Sequence, residues 1–75
     1  MAFILTCSGL RRPYYLQKLR PSGLPVDTYD RSKALKIKDA KTAAAIAEAL
    51  NNYTKSLAAG GGVVYDRDMY KVDIY

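Results

Sequence analysis

The chain has 75 residues, 49% hydrophobic and 25% charged, with a mean hydropathy of −0.19. That is the balance of one small globular domain, and it excludes a disordered tail, a collagen-like repeat and a disulfide-stapled scaffold. Twelve Lys and Arg against seven Asp and Glu give +5 at pH 7, and with no His the side chain most used for proton transfer near neutral pH is missing.

Met1 to Leu5 is apolar but too short for a signal peptide and has no basic region before it, so it is expected to be a first strand. From Met1 to Cys7 the side chains alternate: Phe3, Leu5 and Cys7 lie on one side, Ala2, Ile4 and Thr6 on the other, and Ser8-Gly9 ends the run. Cys7 is the only cysteine and has no intramolecular partner. No apolar run approaches the ~20 residues that span a bilayer. A cytoplasmic protein with no membrane contact is the expectation.

Pro13 pushes the chain into an extended form, and the aromatic run Tyr14 to Leu19 reads as strand two. Arg20 to Asp30 holds two prolines and a glycine without periodicity and reads as a loop. Ser32 to Lys38 alternates again, with Lys33, Leu35 and Ile37 on one face and Ala34, Lys36 and Lys38 on the other, which predicts strand three.

Asp39 is a good N-cap, since its carboxylate accepts the free amides of a first helical turn. The spacing of Ala43, Ile46, Leu50, Tyr53 and Leu57 then predicts a helix from about Ala40 to Ala58, with Lys41, Glu48 and Lys55 on the opposite line. Gly60-Gly61-Gly62 follows as the C-cap and connector. Val63 to Tyr65 and Met69 to Tyr75 are apolar and aromatic, with Asp66-Arg67-Asp68 between them as a hairpin turn or a bulge.

The order strand, strand, strand, helix, strand predicts an α+β fold: a small antiparallel sheet with one helix packed on one face, the last strand either single or a hairpin. The core is expected where Ile46, Leu50, Tyr53 and Leu57 meet Phe3, Leu5, Leu35, Ile37, Val72 and Ile74. One sheet face then remains for water or a partner.

No motif carries catalysis. The three glycines follow a helix instead of preceding one, so they are not a phosphate cradle. Asp66 and Asp68 lack a third ligand, so no metal is expected. The candidate nucleophiles Cys7, Ser8, Ser22 and Thr28 have no histidine base. A non-enzymatic protein without cofactors is the expectation.

Charge is more informative. Residues 11 to 38 hold eight cations against Asp27 and Asp30, a net +6, whereas residues 39 to 75 carry −1. The cations interleave with Tyr14, Tyr15 and Tyr29, and such a surface either neutralises phosphates and stacks on bases or docks an acidic protein. Arg11, Arg12, Tyr14, Tyr15, Arg31, Lys36 and Lys38 are the candidate partner-binding residues. Ala44, Ala45 and Ala49 leave a smooth helix flank, so a homodimer or a partner helix docked on Ala45 and Ala49 is a further expectation beside plain helix propensity.

The stretch from Pro13 to Leu50, with Pro-Tyr-Tyr-Leu, then Asp30-Arg31-Ser32-Lys33-Ala34 leading into Leu35 to Asp39 and an alanine-rich helix, resembles many small proteins of bacteriophages and mobile elements. The plan is also similar to the sheet-plus-helix DNA-binding modules at the front of phage integrases and in AP2-type domains. This chain departs from those by adding Val63 to Tyr75 and by carrying lysines, Lys36 and Lys38, where they carry arginines. The phage resemblance implies a protein that binds and modulates a host macromolecule, such as a defence complex or the transcription machinery. The second resemblance implies direct nucleic-acid binding by the same basic face.

Overall fold

A computed structural model describes all 75 residues. It contains strands β1 (Phe3–Cys7), β2 (Tyr14–Leu19), β3 (Pro25–Thr28) and β4 (Lys71–Ile74), and one helix, α1 (Ala40–Ala58). The strands form one antiparallel sheet in the order β3-β2-β1-β4, with the helix on one face, so the α+β architecture holds. No helix is long and apolar enough to cross a membrane.

The helix starts where its cap dictates. Asp39 accepts from the Thr42 amide at 3.1 Å and from the Thr42 hydroxyl at 2.9 Å, satisfying donors that the first turn leaves free. After Ala58 the amides of Gly61 and Gly62 bond back to its carbonyl, and Gly61, at φ 111°, takes the left-handed turn that ends the helix.

The third strand is not where alternation places it. It forms from Pro25 to Thr28, inside the stretch read as a loop, and pairs with β2 as an edge strand, where a proline without an N–H costs no ladder bond. Ser32 to Lys38 instead begins as a 3-10 turn, Arg31–Lys33, nucleated by the Asp30 carboxylate on the Ser32 amide. Its apolar half is still used. β1 and β2 pair only at Thr6 with Tyr15 and Cys7 with Tyr14, and where they diverge Leu35 and Ile37 enter the gap. The Leu35 amide bonds the Leu16 carbonyl at 2.8 Å, and Ile37 exchanges both backbone bonds with Phe3 at 2.7 and 2.8 Å.

The core joins Leu5, Cys7 and Leu16 of the sheet and Ile37 of the wedge to Ala43, Ala47 and Leu50 of the helix, with Tyr70 beside β4. Tyr53 and Leu57, expected in the buried stripe, are 45% and 67% exposed. The helix rests on β1 and β4, so its side turned toward β3 overhangs a gap. Val72 and Ile74, on the edge strand β4, are also exposed. The last strand is single: Asp66–Asp68 is a 3-10 turn, and Val63 to Tyr65 lie outside the sheet.

The β4 edge is largely closed. In its register with β1 the backbone groups of Tyr70, Val72 and Ile74 point outward. Asn51 takes both of Tyr70's. The Ile74 amide donates to its neighbour Asp73 at 2.8 Å, and the Ile74 carbonyl accepts from Arg31 at 2.7 Å. Only Val72 is left without such a cap, which blunts the edge against pairing with another strand.

Candidate functional site

Two surfaces carry the polar chemistry, one on each face of the sheet. On the face away from the helix, alternation places Ile4, Thr6, Tyr15, Lys71, Asp73 and Tyr75. Thr6 lies opposite both Tyr15 and Lys71, and its buried hydroxyl oxygen has no hydrogen-bond partner. The 3-10 turn after β3 crosses this face at one end, as two observations require: Ile4 is fully buried although it points away from the helix, and Arg31 reaches β4. There Arg31 lies 4.9 Å and the Lys36 ammonium 4.4 Å from the centroid of the Tyr75 ring. Lys36 is held further by donating to the carbonyls of Ser32 at 2.7 Å and Ala34 at 3.1 Å.

At the other end of the sheet, Arg12 lies 4.1 Å over the Tyr29 ring, and Arg67 4.1 Å over the Tyr65 ring. Gly9 turns the β1–β2 loop here at φ 71°, and a side chain at that position would collide with the Arg12 carbonyl at 2.1 Å. Its amide bonds the Arg67 carbonyl at 3.0 Å, tying the two arginine-bearing loops together. Cations are thus positioned by aromatic rings and carbonyls. The one ion pair, Lys71 with Asp66 at 2.9 Å, is exposed on both sides.

The candidate residues therefore divide. Arg31 and Lys36 gather on Tyr75, on the face that also holds Tyr15. Arg12 meets Tyr29, which in turn packs edge-on against Tyr14 at 6.3 Å between centroids. Tyr14 itself turns to the helix face, since neighbouring strand residues alternate. Arg11, in the β1–β2 loop, and Lys38, between Ile37 and the helix cap Asp39, are exposed. Ala45 and Ala49 are both exposed, one turn apart on α1, and Ala49 also lines a cavity of about 370 Å³ with Ser22, Gly23 and Leu24. Tyr75, the hub of one cation cluster, was not among the residues singled out by charge. Its position immediately after an alternating strand was the available signal.

On the helix face, the gap between α1 and β3 is a groove. Its floor carries two tyrosine–carboxylate bonds: Tyr14 donates to Asp68 at 3.1 Å and Tyr70 donates to Asp27 at 2.6 Å. Burial, reinforced by these partners, raises both phenols above the ordinary tyrosine range, so both remain neutral donors. Asp27 is exposed, and its Oδ1 accepts the Tyr70 hydroxyl in a part-buried bond. Burial raises its carboxyl, and the Tyr70 bond offsets part of that. Cys7, beneath Tyr14, is pushed up to about 11 by burial, the opposite of an activated nucleophile. No three Asp, Glu, Cys or His side chains gather as a metal site.

Compared with protein-family models, curated proteins and solved structures, the chain has no match.

Proposed function

We propose that the chain is a non-enzymatic binding protein that docks an acidic macromolecular surface on its basic, tyrosine-bearing face. The resemblance to phage-encoded proteins implies that this partner is a protein of the host. The observation that supports the reading most is how the cations are held. A guanidinium or ammonium on an aromatic ring keeps its full charge, whereas one paired with a carboxylate presents a neutralised surface. Of twelve Lys and Arg only Lys71 is in an ion pair, so Arg12, Arg31, Lys36 and Arg67 are ordered and still positive. Ordered arginine and tyrosine lose little side-chain freedom on docking, which is why they dominate protein interfaces. The high thiol pKa of Cys7 fits a role without covalent chemistry.

Titration with a polyglutamate chain and with random-sequence duplex DNA, each across a range of salt, tests the reading. It predicts saturable polyglutamate binding that weakens with salt and a lower affinity for DNA. Tighter DNA binding, with log K falling steeply against log salt, would transfer the face to nucleic acid. Binding to neither overturns both.

A further inference from the structure

A separate feature lies at the Arg12 end of the groove. Tyr14 and Tyr29 meet at 79° with their centroids 6.3 Å apart, and with Asp27 and Thr28 they line a cavity of about 210 Å³. The edge-to-face contact leaves a corner beside the two rings where a cation can meet ring π-density, with the Asp27 carboxylate in the same lining. Arg12 lies over the Tyr29 ring but is not among the residues that line the cavity.

We propose that Tyr14, Tyr29 and Asp27 form a binding site for an alkylammonium group, the side chain of a lysine, free or methylated, on a partner polypeptide. Three observations define the ligand. It is cationic, because both the rings and Asp27 favour positive charge. It is an ammonium and not a guanidinium, because Tyr70 already occupies Asp27 Oδ1, leaving one carboxylate oxygen for a point charge where a guanidinium fork seeks two. It is carried on a chain with apolar neighbours, because the adjoining cavity of about 320 Å³ shares Tyr14 and Asp27 and continues past Leu24, Tyr53 and Leu57. The exposure of Tyr53 and Leu57, which the fold leaves unused, becomes part of the same groove.

The probe is N-acetyl-trimethyllysine amide, compared with the neutral isostere in which carbon replaces the ammonium nitrogen. Binding is followed by the ring proton shifts of Tyr14 and Tyr29. The ammonium compound should bind at least about tenfold more tightly than the isostere, a difference of about 1.4 kcal/mol. Tyr29→Leu and Asp27→Asn should each abolish that preference. Both positions are exposed, and Asn retains an acceptor for Tyr70, so the fold is kept and the dispersed amide spectrum verifies it. Arg12→Gln removes a like charge over Tyr29 and should leave the preference intact or enlarge it. Equal binding of charged and neutral probes, or a preference that survives in Tyr29→Leu, overturns the site. Because the probe is cationic, its failure is independent of whether the basic face binds acidic partners.

Discussion

The Asn51 side chain on α1 holds both backbone groups of Tyr70, donating to its carbonyl at 3.0 Å and accepting from its amide at 2.8 Å. One residue of the helix thereby does what a neighbouring strand would do. It fixes the entry into β4 while the Tyr70 ring crosses the core to Asp27 on β3. Replacing Asn51 by Ala leaves both groups part-buried and unpaired, at a cost of about 1–3 kcal/mol. Urea unfolding should show a lower midpoint with an unchanged slope. An unchanged midpoint would mean that water replaces the side chain without loss.

The rotation of the helix on the sheet separates two leucines that share one sequence stripe. Leu50 is buried and Leu57 is 67% exposed. Leu50→Ala should cost roughly 2–5 kcal/mol, enough to unfold much of so small a domain. Leu57→Ala should stay within about 0.5 kcal/mol. Similar losses at both positions would place the helix over β2 and β3 instead, and would remove the groove.

Much of this fold is readable in the chain, and the failures have physical causes. Helix α1 is legible because cap, periodicity and glycine stop agree at Asp39, Leu50 and Gly61. Strand β3 is not, because Pro25 signals a loop unless one knows that the strand lies at an edge with its proline free of the ladder. Leu35 and Ile37 alternate as a strand does, yet they serve as a wedge between two diverging strands, a use that depends on how far β1 and β2 stay paired. The basic face was visible as charge, but its assembly on Tyr75 needs β4 to lie beside β1. The tyrosine groove was invisible for the same reason as β3, since only that strand brings Asp27 and Tyr29 to Tyr14.

Two aspartates make opposite contributions to acid stability. The Asp27 carboxyl is raised above its ordinary 3.8, chiefly by burial, so its stabilisation is present below that value and is lost as pH rises through the higher folded-state value. Asp39 is lowered by the Thr42 hydroxyl and amide, so its stabilisation is present above 3.8 and is lost as pH falls through the lower folded-state value. Melting temperatures measured from about pH 2.5 to about pH 6 should therefore diverge. Relative to the parent, Asp27→Asn should gain stability as pH rises, and Asp39→Asn should lose it. The same trend in both variants would contradict the two assignments.

Amide chemical-shift mapping with a glutamate-rich peptide reads out, residue by residue, whether an acidic partner meets the proposed face holding Tyr15, Arg31, Lys36 and Tyr75. Shifts are expected at these residues and at Arg12 in the adjoining loop, fading as salt is added, with Ala45 and Glu48 on the outer side of the helix unmoved. In the double variant Arg31→Glu, Lys36→Glu the shifts should vanish. Shifts confined to the helix, or a map that survives that double charge reversal, would contradict binding at this face.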